Sequence, residues 1–181
     1  IKKYDLSNIR NFFNGAHYDP VTMYLTYIAE KKINYEKFLE IYKKFKKNKS
    51  ETGYFKYFDL PSHLARAFFY SRQLKLDQLK NLEILDLGTG PGYFPFAAGF
   101  LGHNLQSIDT CDNKMYKNMR ELLCVSCANR TIKPMTDFNL ITKKKFDLIT
   151  AFQLLFDQDG KYILWKEKEW SYFVQMLRTR Y

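Results

Sequence analysis

The segment Glu83-Ile84-Leu85-Asp86-Leu87-Gly88-Thr89-Gly90-Pro91-Gly92-Tyr93-Phe94 holds the densest chemical signal in the chain. An apolar run reads as a strand, three closely spaced glycines follow it, and the pattern then turns helical. Such a loop exposes backbone amides at the carboxyl end of the strand, where a cofactor can approach closely. In open parallel sheets, ligands bind in the crevice at the strand ends where the strand order reverses. A second strand, Leu105-Gln106-Ser107-Ile108-Asp109, places a carboxylate at its tip, 17 residues beyond Gly92. A carboxylate there can accept both hydroxyls of a ribose, so the two segments together point to a nucleoside-bearing cofactor.

The glycine spacing narrows the choice. A dinucleotide fingerprint needs its third glycine three residues after the second, and that position is Tyr93 here, whereas Gly92 lies only two after Gly90. A tyrosine obstructs the helix packing and pyrophosphate contact that the third glycine permits. Asp86, two residues before the first glycine, suits a positively charged ligand, and S-adenosylmethionine carries both an ammonium and a sulfonium. Leu85-Asp86-Leu87-Gly88-Thr89-Gly90-Pro91-Gly92 resembles the first motif of class I methyltransferases, and Ile108-Asp109 resembles their second. Asp137-Phe138 falls where that family often has an acidic residue near the adenine amino group and an apolar neighbour against the ring. Phe146-Asp147-Leu148-Ile149-Thr150-Ala151-Phe152 resembles the fourth strand, whose end faces the methyl group.

The resemblance covers residues 82 to about 177 and implies a cofactor, S-adenosylmethionine, with a set of residues to hold it. Gly88, Gly90 and Gly92 would shape the loop under the methionine and ribose, with Asp86 at the amino-acid end. Asp109 would hold the ribose, and Thr89 and Thr110 complete the cofactor-binding set. Asp137 and Phe138 would contact adenine, and Ala151 would border the methyl-transfer point through its backbone. Residues 57 to 72, with Leu60-Pro61-Ser62-His63, look similar to the helical lead-in of some bacterial methyltransferase-domain proteins.

The acceptor side departs from several patterns. Ala151-Phe152-Gln153-Leu154 follows the fourth strand where adenine- and cytosine-N methyltransferases have Asn or Asp, two prolines and an aromatic. No Pro-Cys stands there either, so covalent attack on a pyrimidine has no nucleophile. Methyl transfer from a sulfonium to a small molecule needs little beyond proximity and in-line orientation, and a small-molecule acceptor is the expectation. Gln153, Asp157 and Asp159 are the nearest polar groups in sequence. His17, His63 and His103 become candidate bases only if the front helices fold over the site, and His63 is the best placed. Two alternatives stay open: a non-catalytic cofactor-binding or scaffold subunit, and an enzyme modifying RNA or DNA. A nicotinamide oxidoreductase is disfavoured by Tyr93.

These residues need elements to carry them. Tyr35, Phe38, Leu39, Tyr42 and Phe45 recur at three- and four-residue steps within an expected helix over residues 21–49, closed by Lys43, Lys44, Lys46, Lys47 and Lys49. Gly53 and Tyr54-Phe55-Lys56-Tyr57-Phe58 read as a loop, and Pro61-Ser62 as a turn and N-cap for a helix from His63 to Leu74. From Leu82 the pattern becomes that of strand-helix units and a parallel sheet. Strands are expected at Glu83 to Leu87, Leu105 to Asp109, Thr131 to Met135 and Phe146 to Phe152. Helices are expected at Tyr93 to Leu101, Asn113 to Cys127 and Lys166 to Leu177. Pro95 is tolerated in a first helical turn, and Pro134 requires an edge position for the third strand. The expectation is a Rossmann-like α/β domain from residue 81 onward, behind a helical, basic extension over residues 1–80.

At 181 residues and 46% hydrophobic, the chain can bury one core. No run of about 18 apolar residues marks a membrane span, and no signal-peptide pattern is visible. Cys111, Cys124 and Cys127 are sparse and odd in number, which favours a reducing cytoplasm over a disulfide framework. The Cys124/Cys127 pair lies in an expected helix and lacks a second ligand pair. Net charge is +10, with 16 Lys+Arg against 8 Asp+Glu in residues 1–80. That surplus could draw a polyanion, although abundant Lys, Asn, Tyr, Phe and Ile together match the output of an A+T-rich genome. The chain starts at Ile1 and stops at Tyr181, before the fifth of the seven strands that the family resemblance implies. A fragment is therefore expected, with self-association through an exposed fourth strand.

Overall fold

The computed structural model describes residues 18–46, 55–110, 112–140, 144–157 and 163–181. His17, Lys47, Lys49, Gly53, Tyr54, Cys111 and Asp159, all singled out by sequence, lie outside them. Three helices come first: α1 (Pro20–Glu30), α2 (Tyr35–Lys46) and α3 (Leu60–Gln73). Then β1 (Glu83–Leu87), α4 (Tyr93–Phe100), β2 (Asn104–Asp109), α5 (Lys114–Leu122), β3 (Ala128–Asn129), β4 (Leu148–Thr150) and α6 (Glu167–Arg180) follow. The four strands form a sheet in the order β3-β2-β1-β4, with every pair parallel. The architecture is α/β and Rossmann-like. The chain leaves β1 toward β2 on one side and returns to β4 on the other, so the strand order reverses beside β1.

Capping groups decide where the front helices begin. The Asp19 carboxylate accepts from the amides of Val21 and Thr22 and, with Pro20 in the first turn, starts α1. The single helix expected over residues 21–49 is two. The chain turns after Lys31, and the Asn34 side chain accepts from the Lys37 amide at 3.0 Å, capping a second start. α3 begins at Leu60 rather than His63, because Asp59 takes the N-cap role expected of Ser62 and accepts from its amide. α3 buries Leu60, Leu64, Ala65, Ala67 and Phe68 and packs between α1 and α4, while α2 lies against α5.

β1 occupies the centre of the sheet and alternates its burial between two faces. Ile84 packs with Leu76, Phe94 and Ala98 on the α4 side, whereas Leu85 and Leu87 pack with Ile108, Phe138, Trp165 and Phe173 on the α6 side. Asp86 shares the first of these faces with Ile84.

Further sequence expectations are corrected. The third strand is Ala128–Asn129, which pairs with Ile108 and Asp109, and not Thr131 to Met135. Pro134 has no amide to give a ladder, and Met135 turns with φ 54°. α5 stops at Leu122 instead of Cys127, since Cys124 has φ 55°, and Cys124 is exposed beyond the helix end. Among the described residues no group of His, Cys, Asp or Glu could hold a metal ion. β4 is shorter than Phe146 to Phe152, and α6 runs on to Arg180. No described helix is long and apolar enough to cross a membrane.

α3 is the link between the front helices and the sheet, and Phe68 is its most deeply packed large side chain, fully buried and edge-on to Phe100 at 5.7 Å. Phe68→Ala is expected to destabilise the protein by about 3–5 kcal/mol in urea unfolding. A loss under about 1 kcal/mol would mean that α3 is not seated on α4.

Candidate active site

A cavity of about 260 Å³ opens at the carboxyl ends of β1 and β4, roofed by α3. Its size lies just below the range of about 300–1,000 Å³ usual for small-molecule pockets. The floor is the loop after β1. Gly88 and Thr89 donate their amides to the Ile108 carbonyl at 2.9 and 3.2 Å, which folds the loop toward the end of β2. Gly88 has φ 70°, a backbone conformation that favours glycine, and a Cβ there would lie 2.7 Å from a Leu154 methyl, which would have to move aside. The Gly90 amide donates to Asp109 Oδ2 at 2.6 Å, and Thr110 N donates to Oδ1 at 2.7 Å. Loop and carboxylate, read separately in the sequence, are thus one hydrogen-bonded unit.

Arg120 was not identified from sequence. It is buried, and its guanidinium donates to the Gly90 carbonyl at 2.6 Å, beneath the loop. Its signal was a lone cation among Met115, Met119, Leu122 and Leu123, the buried face of α5 and its end. Gly92, with φ 92°, caps α4 next to Arg120 and Val125.

Asp86 is buried at the cavity edge and binds inward. One oxygen accepts from the Thr89 hydroxyl and the other from Thr150 Oγ1 at 2.8 Å. Burial pushes its carboxyl up to about 6, and the two hydroxyl bonds counter that only in part.

The remaining expected residues separate. Asp86, Gly88, Thr89, Gly90 and Asp109 line the cavity, whereas Thr110 stands behind Asp109. Ala151 is exposed and off the lining, which continues instead through Phe152, Gln153 and Leu154. Asp137 and Phe138 are not on the cavity. Asp137 pairs with Arg180 at 2.7 Å and accepts from the Tyr181 hydroxyl at 2.7 Å, while Phe138 stacks on the Tyr181 ring at 4.8 Å. Core packing on the α6 side holds both.

The roof is aromatic. His63, Arg66, Ala67 and Tyr70 reach the cavity from one face of α3, at i, i+3, i+4 and i+7. The His63 ring stacks on Tyr93 at 5.0 Å and lies 5.1 Å from Tyr57. Its Nε2 is 2.9 Å from the Lys56 carbonyl and so acts as the donor, which leaves the lone pair on Nδ1. Burial lowers its pKa, partly offset by the Lys56 bond, so the ring is neutral at neutral pH. The Tyr93 hydroxyl donates to the Tyr57 carbonyl, and burial drives that phenol far above its ordinary value. Tyr70 stacks on Phe152 at 4.6 Å, joining α3 to the chain leaving β4. His103 is a structural residue: it accepts from Leu82 N through Nδ1 at 3.2 Å and donates to the Leu76 carbonyl through Nε2 at 2.8 Å.

By sequence the chain matches no known protein family, and no curated protein is detectably similar to it.

Asp86 supplies a test of the site's electrostatics. Its folded pKa, about 6, lies above the ordinary 3.8, so its contribution to stability is complete below pH 4 and is lost as the pH rises through 6. Relative to Asp86→Asn, the native protein is expected to lose on the order of 3 kcal/mol of unfolding free energy between pH 4 and pH 7. Denaturant titrations at several pH values measure this, and parallel profiles would rule out a buried, internally bonded carboxyl.

Proposed function

We propose that the chain binds S-adenosylmethionine in this cavity and transfers its methyl group to a small-molecule acceptor. The observation that carries the reading is the Gly90 amide bonded to Asp109 Oδ2 at 2.6 Å, which sets a glycine loop and a strand-tip carboxylate on one cavity beside β1. A glycine loop there accommodates the close approach of a ligand's amino-acid and ribose parts, and Asp109 is placed to accept from ribose hydroxyls. Asp86 adds negative charge at the edge, which favours a cationic ligand over a pyrophosphate. Tyr93 argues in the same direction. Its buried ring and Tyr57-bonded hydroxyl fill the position where a dinucleotide site has its third glycine. The adenine contacts implied for Asp137 and Phe138 draw no support, since Arg180 and Tyr181 engage both.

When bound, the cofactor supplies an electrophilic methyl on a sulfonium. The chain's part is to orient, to exclude water and to manage a proton. Tyr70, Phe94 and Phe152 form an apolar wall at the exit of β4. His63 stands on the roof with Nε2 engaged by the Lys56 carbonyl, and a neutral imidazole can take the proton released from an acceptor hydroxyl or amine as its heteroatom is methylated.

Calorimetry with S-adenosylhomocysteine and with NAD tests the reading. The first should bind and the second should not, and Asp109→Ala should weaken S-adenosylhomocysteine about 10- to 100-fold, as expected for losing charge-assisted hydrogen bonds. NAD binding, or an unchanged affinity in Asp109→Ala, would overturn it. Binding with no turnover on any acceptor would mark a non-catalytic subunit.

A further inference from the structure

Arg66 is placed unlike the other arginines that are drawn into packed structure. Arg72 pairs with Asp19 and Asp77, Arg120 donates to the Gly90 carbonyl, and Arg130 donates to the carbonyls of Asn129 and Asn139. Arg66 is half-buried on the cavity wall, and among the described residues it has neither an ion pair nor a hydrogen bond. The carboxylates around it are committed elsewhere. Asp59 caps α3 through Ser62, Asp86 is bonded to Thr89 and Thr150, and Asp109 is bonded to Gly90 and Thr110. A half-buried guanidinium on a cavity wall beside aromatic rings, with its own N–H groups unpaired, is suited to receive an anion.

We infer that Arg66 anchors an anionic group, a carboxylate or phosphate, on the methyl acceptor. The inference rests on the methyl-transfer reading and adds the acceptor's class to it. Position selects the acceptor over the cofactor. Arg66 lies one turn from His63 on one side and one turn from Tyr70 on the other, and Tyr70 stacks on Phe152 at the exit of β4. Through Tyr70 this face of α3 meets the chain leaving β4, where the acceptor's reacting atom is expected on the methyl-transfer reading. A planar guanidinium matches a carboxylate or phosphate through two parallel N–H bonds, and the adjoining Tyr70 and Phe152 rings suit an apolar or aromatic body. The acceptor is thus an organic anion whose nucleophilic atom lies within reach of His63.

The test uses the whole chain, with benzoate and phenyl phosphate as probes and benzamide as their uncharged counterpart. Ligand-observed NMR titrations are run with and without saturating S-adenosylhomocysteine. The anions should bind at least tenfold more tightly than benzamide, Arg66→Gln should abolish the preference, and Arg66→Lys should retain part of it. Thermal unfolding of both variants establishes that they are folded. Equal binding of benzoate and benzamide, or an anion preference that survives Arg66→Gln, would overturn the assignment. So would a tenfold loss of S-adenosylhomocysteine affinity in Arg66→Gln, which would give the guanidinium to the cofactor's own carboxylate. Failure of S-adenosylhomocysteine to bind the native protein counts against the methyl-transfer reading, while the anion preference measured without it still decides the charge specificity of Arg66.

Discussion

Gly90 is held on both sides: its N–H donates to Asp109 at the tip of β2, and its carbonyl, in the next peptide group, accepts from buried Arg120 on α5. Those two bonds join three successive elements of the chain at one point. Both bonds are charge-assisted, one to an anion and one from a cation, and they hold the two peptide groups that flank the Gly90 Cα. The arrangement also explains how a guanidinium can be buried without a carboxylate in contact. The two bonds together tie loop, strand tip and α5 to one another at the cavity floor.

The front helices are part of the same construction. Tyr93 opens α4 directly after the glycine loop, and its hydroxyl reaches forward to the Tyr57 carbonyl while its ring supports His63. Tyr116 on α5 meets Tyr57 edge-on at 5.3 Å, so α4 and α5 both grip the segment that leads into α3. Aromatic pairs of this kind add about 0.5–1.5 kcal/mol each beyond area burial. Tyr93 therefore helps fix the roof that carries His63, Arg66 and Tyr70.

Sequence reasoning succeeded where local chemistry determines structure. β1 runs from Glu83 to Leu87 as expected, and α4 starts at Tyr93, because an apolar strand ending at glycines of positive φ leaves few other conformations. It failed where a distant partner decides. Asp137 and Phe138 are at the expected spacing, yet Tyr181, 44 residues from Asp137, draws them to the α6 side of the sheet. The break between α1 and α2 has no glycine or proline to announce it, only Asn34 capping a new start. Arg120 interrupts the apolar face of α5 and so carried a sequence signal, but only tertiary packing shows that it lies against the Gly90 carbonyl and that Arg66 of α3 lines the cavity.

Asp86 brings these threads together. Its two oxygens hold Thr89 in the loop and Thr150 on β4, so it ties the floor of the cavity to the strand beside it. Protonation below about pH 6 leaves those hydroxyls as partners and removes the charge, and at neutral pH the charge is present in a place where burial opposes it. A pyrophosphate arriving there would raise that opposition further. A sulfonium and ammonium would lower it, so on the proposed reading the cofactor relieves a strain that the fold keeps in its absence. Binding below pH 6 would then release a proton from Asp86, and affinity would rise with pH across that range by linkage. On the proposed reading, the Asp86 edge of the cavity suits the cofactor's cations and Arg66 on the roof an anionic acceptor, so two ligands of opposite sign meet between them.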